Sequence, residues 1–308
     1  MNKPTHLEKG DTIGIVAPAW SINPIYIKRG VKKLEKLGYK VKIDQSIFKM
    51  HWSMAGHDKE RAEVINNMFS DESVKAIFCA KAGYGSIRTV PYLNEDIIKK
   101  NPKIFIGYSD ITILLLYLLK VSDMVVFHGP TVSGEIFENM NPITLQSLIH
   151  SISCLDALGE LTFPTLEVLR HGMASGTLIG GNLSMIVRSL GTPYEIDTDH
   201  KILFLEEICE GLEMIDSYLM HLKLAKKLDN IKGILFGRMI ECRDYSRSMY
   251  TIKDLINDIL PNSDIPIMYG FPSGHRSPKE YNITIPLGVK VTLDTQNLKV
   301  VFIDAGVV

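Results

Sequence analysis

The first half of the chain alternates short apolar strands with amphipathic helices. The predicted elements are, in chain order, a strand at 12–17, a helix at 26–37, a strand at 41–43, a helix at 58–69, a strand at 74–79, a strand that ends at Gly107 with a helix after it, and a strand at 124–127. Such alternation is typical of a parallel sheet with helices on both faces. We therefore expect residues 1–154 to form a doubly wound α/β domain of the flavodoxin or Rossmann kind.

The periodicity weakens over residues 155–175, which predicts a crossover linker between two domains. A chain of 308 residues is long enough to build two hydrophobic cores. Residues 176–308 are expected to form a second, mixed α/β domain that is richer in strands. The pattern there predicts strands at 202–205, 233–236, 265–269, 281–285 and 289–293, and helices at 214–228 and 252–260.

Composition argues against several classes of protein. Hydrophobic residues make up 45% of the chain and charged residues 22%, and the net charge is −1 with acids and bases interspersed. Such a chain offers no basic surface for nucleic acid or for an anionic membrane. The four cysteines form no C-x-x-C pair, which indicates free thiols in a reducing compartment. Because no signal-peptide pattern is present and the apolar run 111–119 is too short to span a bilayer, we expect a cytoplasmic protein with no membrane partner.

Motifs for metals and organic cofactors are missing from the sequence. It contains no G-x-x-x-x-G-K-[ST], so a P-loop is excluded, and no G-x-G-x-x-G follows the first strand. It also lacks H-E-x-x-H, and its nine histidines do not have metal-ligand spacing. We therefore expect neither a cofactor nor a metal.

A serine stands at the turn between an apolar strand and an apolar helix. The strand stops at Gly107, Ser109 follows two residues later, and Asp110 falls in the first turn of the helix. This arrangement is typical of a nucleophile elbow, whose next amide can hold an oxyanion. The spacing is not G-x-S-x-G, however, because Ile111 replaces the second glycine. A buried strand that ends in a serine N-cap would read much the same, and both interpretations stay open here.

A serine nucleophile needs a base and an acid that orients the base. His275 is the best-placed base, because it follows a strand on a loop stiffened by Pro272. His128 also follows a strand and is a rival base, although a structural histidine would fit that position too. The buried strand 202–205 runs into Glu206 and Glu207. We expect Glu206 to continue the strand and to need a partner, and Glu207 to be a solvated loop charge.

Eight segments, taken together and in order, resemble the LD-carboxypeptidase family of serine peptidases, which cleave a bond between an L- and a D-configured centre. The segments are Gly-Ile-Val-Ala-Pro at 14–18, Ala-Gly at 55–56 with Glu-Arg-Ala at 60–62, Ala-Gly-Tyr-Gly at 82–85, Gly-Tyr-Ser-Asp at 107–110, His-Gly-Pro at 128–130, Gly-Gly-Asn-Leu at 180–183, Leu-Glu-Glu at 205–207 and Gly-His at 274–275.

The resemblance implies a triad of Ser109, Glu206 and His275, with the serine on the first domain and its partners on the second. It also implies an interdomain cleft, a homodimer, and an oxyanion hole formed by the amide of Asp110 and one from the glycine loop. The family usually has Arg-Gly-Gly-Tyr-Gly in that loop, whereas this chain has Lys-Ala-Gly-Tyr-Gly at 81–85. Either Ala82 or Gly83 would be the second donor, and Ala82 would be strained if its φ were positive.

Two residues beside these motifs are candidates for contacts with substrate. Tyr84 belongs to the glycine loop, and Arg276 follows the histidine, where it could read a substrate carboxylate or simply be solvated. The resemblance implies a small peptide substrate, with removal of the terminal D-alanine from a murein tetrapeptide in cell-wall recycling as the first hypothesis. Hydrolysis of peptide-nucleotide antibiotics related to microcin C is a second. A non-catalytic two-lobe binding protein is a third, from a different class.

Overall fold

The computed structural model describes residues 1–136, 140–245, 249–260, 264–277 and 280–308. A six-stranded sheet forms the core of the N-terminal half, with the strand order β12-β5-β4-β3-β1-β2. Its strands are β1 (Thr12–Val16), β2 (Lys40–Ile43), β3 (Val74–Cys79), β4 (Ile104–Gly107), β5 (Val126–His128) and β12 (Ile285–Leu287). The first five run parallel, and β12 pairs antiparallel with β5. The predicted α/β class with a parallel N-terminal sheet is confirmed.

Six α-helices lie in this half of the described chain, and several begin at polar residues that cap them. The Asn23 side chain accepts a hydrogen bond from the Ile25 amide at the start of the first helix, and the Glu60 carboxylate accepts one from the His57 amide at the start of the second. The helices are α1 (Pro24–Lys36), α2 (Asp58–Ser70), α3 (Ser86–Thr89), α4 (Glu95–Lys100), α5 (Thr112–Ser122) and α6 (Pro142–Ser153).

The second sheet has eight strands in the order β6-β14-β13-β8-β9-β10-β11-β7. They are β6 (Gly159–Leu161), β7 (Glu167–Arg170), β8 (Met173–Asn182), β9 (Ile202–Ile208), β10 (Gly233–Ile240), β11 (Ile267–Tyr269), β13 (Lys290–Asp294) and β14 (Lys299–Phe302). The central strands β8 to β11 are parallel, and the outer pairings are antiparallel. Helices α7 (Leu183–Ser189), α8 (Leu212–Leu224) and α9 (Ile252–Ile259) complete this half.

Four strands, β6, β7, β12 and β14, lie where the sequence pattern did not place them. Strands β6 and β7 and the start of β8 fall within the predicted crossover 155–175 and join the second sheet. Their residues are only partly buried, so these edge strands carry no strong alternation. The strand predicted at 281–285 begins only at Ile285, as β12, and it closes the edge of the first sheet instead of joining the second.

Helix α5 lies between the two sheets and belongs to both cores. Its residues 112–118 are all buried, as expected for a helix that is apolar on every side. Ile113 and Leu114 pack in the first core, and Leu116 packs in the second. Thr112 at its first turn accepts a hydrogen bond from the Asn182 amide at 3.1 Å. The helix that follows Ser109 therefore fixes the second sheet relative to the first.

In the described part of the chain, no helix combines the length and apolar character that crossing a bilayer requires.

Strands β8 and β9 approach each other closely at Gly180. Gly180 has φ +135°, and a Cβ atom on it would lie 1.9 Å from the Phe204 carbonyl oxygen. Gly191 also has a positive φ, +76°, but no atom lies within 4 Å of its would-be Cβ. We expect Gly191→Ala to lower the free energy of unfolding by about 1 kcal/mol and Gly180→Ala by about 3 kcal/mol or more. Denaturant unfolding measures both, and equal losses would show that the strands can separate without cost.

Candidate active site

Ser109 occupies a sharp turn between β4 and α5. A single 3-10 turn, Ser109–Ile111, follows the strand, and α5 begins at Thr112. Ser109 has φ +62°, a left-handed conformation that is strained for a residue other than glycine. A side chain at Gly107 would meet Ile111 at 2.8 Å, so glycine permits the tight approach of strand and turn. The serine thus has the elbow geometry that the strand-turn-helix pattern predicts.

Side chains from both halves of the chain form one hydrogen-bonded series with this serine. Ser109 Oγ lies 3.1 Å from His275 Nε2, and His275 Nδ1 lies 2.7 Å from Glu206 Oε2. The backbone N–H of His275 donates to the same Glu206 oxygen at 3.0 Å. Gly274 stands directly over this carboxylate, because a Cβ atom there would lie 2.5 Å from Oε2. The three residues that the resemblance groups together are therefore adjacent in space.

The charges of this series stabilise one another. Burial would raise the pKa of Glu206, but the charge and hydrogen bonds of His275 outweigh burial and hold that pKa below 4.5. Burial would likewise lower the pKa of His275, but the charge and hydrogen bond of Glu206 raise it above 6.5. With Nδ1–H donating to the carboxylate, neutral His275 presents the Nε2 lone pair to the serine hydroxyl. Such a base can accept the serine proton during nucleophilic attack.

The two segments that are predicted to supply oxyanion donors lie beside the serine. Asp110 contributes the amide that follows Ser109, while its buried carboxylate accepts a hydrogen bond from the Ser86 amide at 2.9 Å. Ala82 and Gly83 line the same cavity as Ser109. The positive φ values of this loop belong to Gly83, +124°, and Gly85, +119°, and Ala82 is not among the positive-φ residues. The strain considered for alanine at position 82 is therefore absent.

Arg61 is a residue whose structural role the sequence analysis missed. Its buried guanidinium donates to the carbonyl oxygens of Pro18 and Gly85 and to the carboxylate of Asp58. These contacts tie the loop after β1 to the glycine loop beside Ser109. The sequence signal was its place in the Glu-Arg-Ala segment, which by itself does not reveal a partner.

A cavity of about 380 Å³ opens beside the serine. It is lined by Trp20, Asn23, Tyr26, Lys81, Ala82, Gly83, Tyr108, Ser109, Thr131, Ser133, Gly134 and His275. Of the predicted substrate contacts, neither Tyr84 nor Arg276 is among these lining residues. Tyr84 packs edge-on against Trp52, with ring centroids 6.1 Å apart, and Arg276 donates to the Ser277 carbonyl. Most of the cavity-lining residues that the sequence did not indicate lie in the loops after β1 and β5.

The prediction that Glu207 is a solvated loop charge is wrong. Strand β9 runs on to Ile208, and Glu207 is only 3% exposed. Its carboxylate accepts hydrogen bonds from Asn182 Nδ2 at 2.7 Å and from the Ser184 amide at 2.8 Å. Burial and the neighbouring charge of Glu206 raise its pKa. Glu207 caps the start of α7, where the unpaired amides of a helix favour a carboxylate.

The rival base His128 lies on the far side of Glu206 from His275. Its Nδ1 is 3.4 Å from Ser273 Oγ, and its Nε2 is 3.9 Å from Glu206 Oε1. Burial lowers the pKa of His128 to about 4, so the ring is neutral at physiological pH. The structure thus brings His275, and not His128, to the serine hydroxyl.

Among the residues described, no group of three or more His, Cys, Asp or Glu side chains is arranged to hold a metal ion.

The chain is similar to known proteins over nearly its whole length. A sequence profile for the LD-carboxypeptidase N-terminal domain matches residues 13–129, and one for the LD-carboxypeptidase C-terminal domain matches residues 175–293. A probable murein peptide carboxypeptidase of Bacillus subtilis (strain 168) is 37% identical over 307 residues, which cover 99% of this chain and 95% of the relative.

Two solved structures share the fold. The muramoyltetrapeptide carboxypeptidase from Oxalobacter formigenes has a TM-score of 0.83 at 26% identity, over 94% of this chain and 97% of its own. The microcin C7 self-immunity protein MccF in complex with aspartyl sulfamoyl adenosine has a TM-score of 0.92 at 25% identity, over 100% of both chains.

The raised pKa of His275 predicts how labelling of the serine depends on pH. A fluorophosphonate should modify Ser109 in the wild type and not in Ser109→Ala. Because His275 must be neutral to take the serine proton, the labelling rate should fall as pH falls through its pKa, with a midpoint above 6.5. In Glu206→Gln the carboxylate charge is gone, so burial lowers the pKa of His275 and the midpoint should move to lower pH. Because the base also loses its orienting partner, the plateau labelling rate should drop by about 10³-fold or more.

The matched control is His200→Gln, which changes an exposed histidine on a loop outside this cavity. It should leave the rate and the midpoint unchanged. A Glu206→Gln midpoint at or above that of the wild type would contradict the coupling between Glu206 and His275.

Proposed function

The chain belongs to the LD-carboxypeptidase family of serine peptidases, and from this premise we propose that it removes a C-terminal D-amino acid from a short peptide. The observation that carries the proposal is the hydrogen-bonded series Ser109–His275–Glu206 on the wall of an open cavity. A nucleophile, a base and an orienting carboxylate in this order are what acyl transfer through a serine ester requires.

The proposed reaction begins when His275 Nε2 takes the proton of Ser109 as Oγ attacks the scissile carbonyl carbon. The amide of Asp110 and one amide from Ala82 or Gly83 would hold the oxyanion of the tetrahedral intermediate. His275 then gives the proton to the leaving amine, and the C–N bond breaks to leave an acyl-enzyme. A water molecule, deprotonated by His275, attacks the ester and releases Ser109. Throughout, Glu206 stabilises the charged form of His275.

We propose a murein tetrapeptide as substrate, with its terminal D-alanine as the leaving group in cell-wall recycling. The B. subtilis relative at 37% identity is named a probable murein peptide carboxypeptidase, and it aligns over 99% of this chain. A cavity of about 380 Å³ suits the last residues of a short peptide.

Lys81 supports a substrate with a free carboxylate. It is the one permanent cation among the described residues that line the cavity, and no Asp or Glu is among them. Its Nζ lies 5.2 Å from the centre of the Trp20 ring, on the loop that supplies the proposed oxyanion donors. In a carboxypeptidase substrate the terminal carboxylate is only one residue away from the scissile carbonyl. We therefore propose that Lys81 pairs with that carboxylate.

A second candidate is hydrolysis of a peptide-nucleotide antibiotic. Trp20 on the cavity wall is 41% exposed and could stack on a base, and the MccF structure with a TM-score of 0.92 contains aspartyl sulfamoyl adenosine. The third hypothesis, a binding protein without activity, predicts no labelling of Ser109 by a fluorophosphonate.

Peptide hydrolysis tests the substrate directly. Wild type should release D-alanine from L-Ala-γ-D-Glu-diamino acid-D-Ala, and Ser109→Ala should release it at least about 10⁴-fold more slowly. Release of free D-alanine is measured with a D-amino acid oxidase assay. If wild type instead cleaves only an aspartyl sulfamoyl adenosine, the murein assignment is wrong and the second candidate is right.

The Lys81 assignment predicts discrimination between a free acid and its amide. Lys81→Met should raise KM for the tetrapeptide by about 10-fold or more, since it removes a charge-assisted contact, and should barely change the rate for the C-terminal amide of the same peptide. Lys81→Arg is the matched control, because it keeps the charge and should retain most of the preference. An equal loss on both substrates would refute the carboxylate contact.

A further inference from the structure

Two buried polar atoms at the centre of the molecule face each other without a hydrogen-bond partner among the described residues. They are Nε2 of His128 and Oε1 of Glu206, 3.9 Å apart, and both side chains are 0% exposed. A buried polar atom without a partner is costly, so such an atom in a folded protein calls for an explanation. Here His128 Nε2 can carry a proton and donate a hydrogen bond, and Glu206 Oε1 can accept it.

The surroundings of His128 favour the ring tautomer with its proton on Nε2. The Ser273 hydroxyl lies 3.4 Å from Nδ1 and can donate to it. A proton on Nδ1 instead would turn the Nε2 lone pair toward a carboxylate, which is repulsive. The rings of Tyr108 and Phe204 meet the imidazole edge-on, at centroid distances of 5.9 Å and 5.2 Å, and keep it from turning away.

We infer that His128 is a positioning residue for Glu206: its Nε2–H binds Oε1 and so keeps Oε2 turned toward His275. The inference rests on the proposed function, in which Glu206 orients the base. Shortening the separation by about 1 Å gives an ordinary hydrogen bond. His128 ends β5 of the first sheet and Glu206 lies in β9 of the second, so this bond joins the two sheets at the proposed site. The series then runs Ser273–His128–Glu206–His275–Ser109.

The other groups around Glu206 are consistent with a neutral donor at this position. The titratable side chains that act on it or feel its charge are His275, His128, Glu207 and Tyr108. Burial and nearby carboxylates raise the pKa of Tyr108 well above 10, so it stays neutral. His128, with its lowered pKa, does not compete with His275 for the proton of the pair. It therefore stabilises the carboxylate without adding a charge.

Two substitutions at position 128 test this inference. His128→Phe keeps a ring of similar shape and removes the donor, while His128→Gln places an amide N–H close to the position of Nε2. The readouts are the rate of fluorophosphonate labelling and its pH profile, each normalised to folded protein by circular dichroism and by the final extent of labelling.

We expect His128→Phe to slow labelling by about 10- to 100-fold. The acid midpoint should move to lower pH, toward that of Glu206→Gln, because Oε2 is then no longer held toward His275 and raises the pKa of His275 less against burial. His128→Gln should restore most of the rate and return the midpoint toward that of the wild type. A purely structural role would reduce the amount of folded enzyme and leave the midpoint of the remainder unchanged.

A third variant covers the case in which His128→Phe does not fold. Ser273→Ala leaves His128 in place and removes only the hydroxyl that fixes its tautomer, so it should slow labelling less but shift the midpoint in the same direction. If His128→Phe, or Ser273→Ala in its place, keeps the wild-type midpoint, the inference is wrong. Wild type that is labelled but releases no D-alanine would refute the proposed substrate and not this inference, whereas wild type that is not labelled would refute both.

Discussion

The buried carboxylate of Glu206 is the constraint on which the rest of the site depends. An ionised carboxylate at 0% exposure is costly unless donors surround it, and here the backbone and ring N–H groups of His275 supply two. Meeting that need brings the loop of residues 272–275 against β9, and only a glycine at 274 leaves room for the carboxylate. The hydrogen bonds that stabilise the buried Glu206 carboxylate also orient the His275 imidazole toward Ser109. The same contacts therefore stabilise the fold and position the base.

The packed interface between the two sheets holds Ser109 and Glu206 each within hydrogen-bond distance of His275. Helix α5, which starts just after Ser109, contributes to both cores, and Thr112 bonds the end of β8. Glu207, the neighbour of Glu206, caps α7 through the Ser184 amide. Strand β12 returns from the second half and pairs with His128 at the edge of the first sheet. A site with groups from both halves therefore rests on a packed boundary and not on a hinge of few contacts.

Further side-chain contacts hold the loops of the cavity wall together. Arg61 joins the loop after β1 to the glycine loop, and Asp110 joins the serine turn to Ser86 in α3. The Trp20 ring covers Gly83 so closely that a Cβ atom there would lie 2.3 Å from it. Preorganised amides stabilise an oxyanion without reorganisation during the reaction, so a fixed loop suits the role proposed for it.

Local sequence determined the strand-helix alternation of the first half, the turn at Ser109 and the strand that runs into Glu206, because hydrophobic period and turn residues report neighbours along the chain. It also indicated His275 as the best-placed base for the serine, and the resemblance grouped Ser109, His275 and Glu206 as a triad. Tertiary structure decided the rest: the burial of Glu207, the partner of His128, and the pairing of β6, β7 and β12. His275 meets residues 69 and 166 positions away, and contacts at such separations follow from packing, which no local pattern contains.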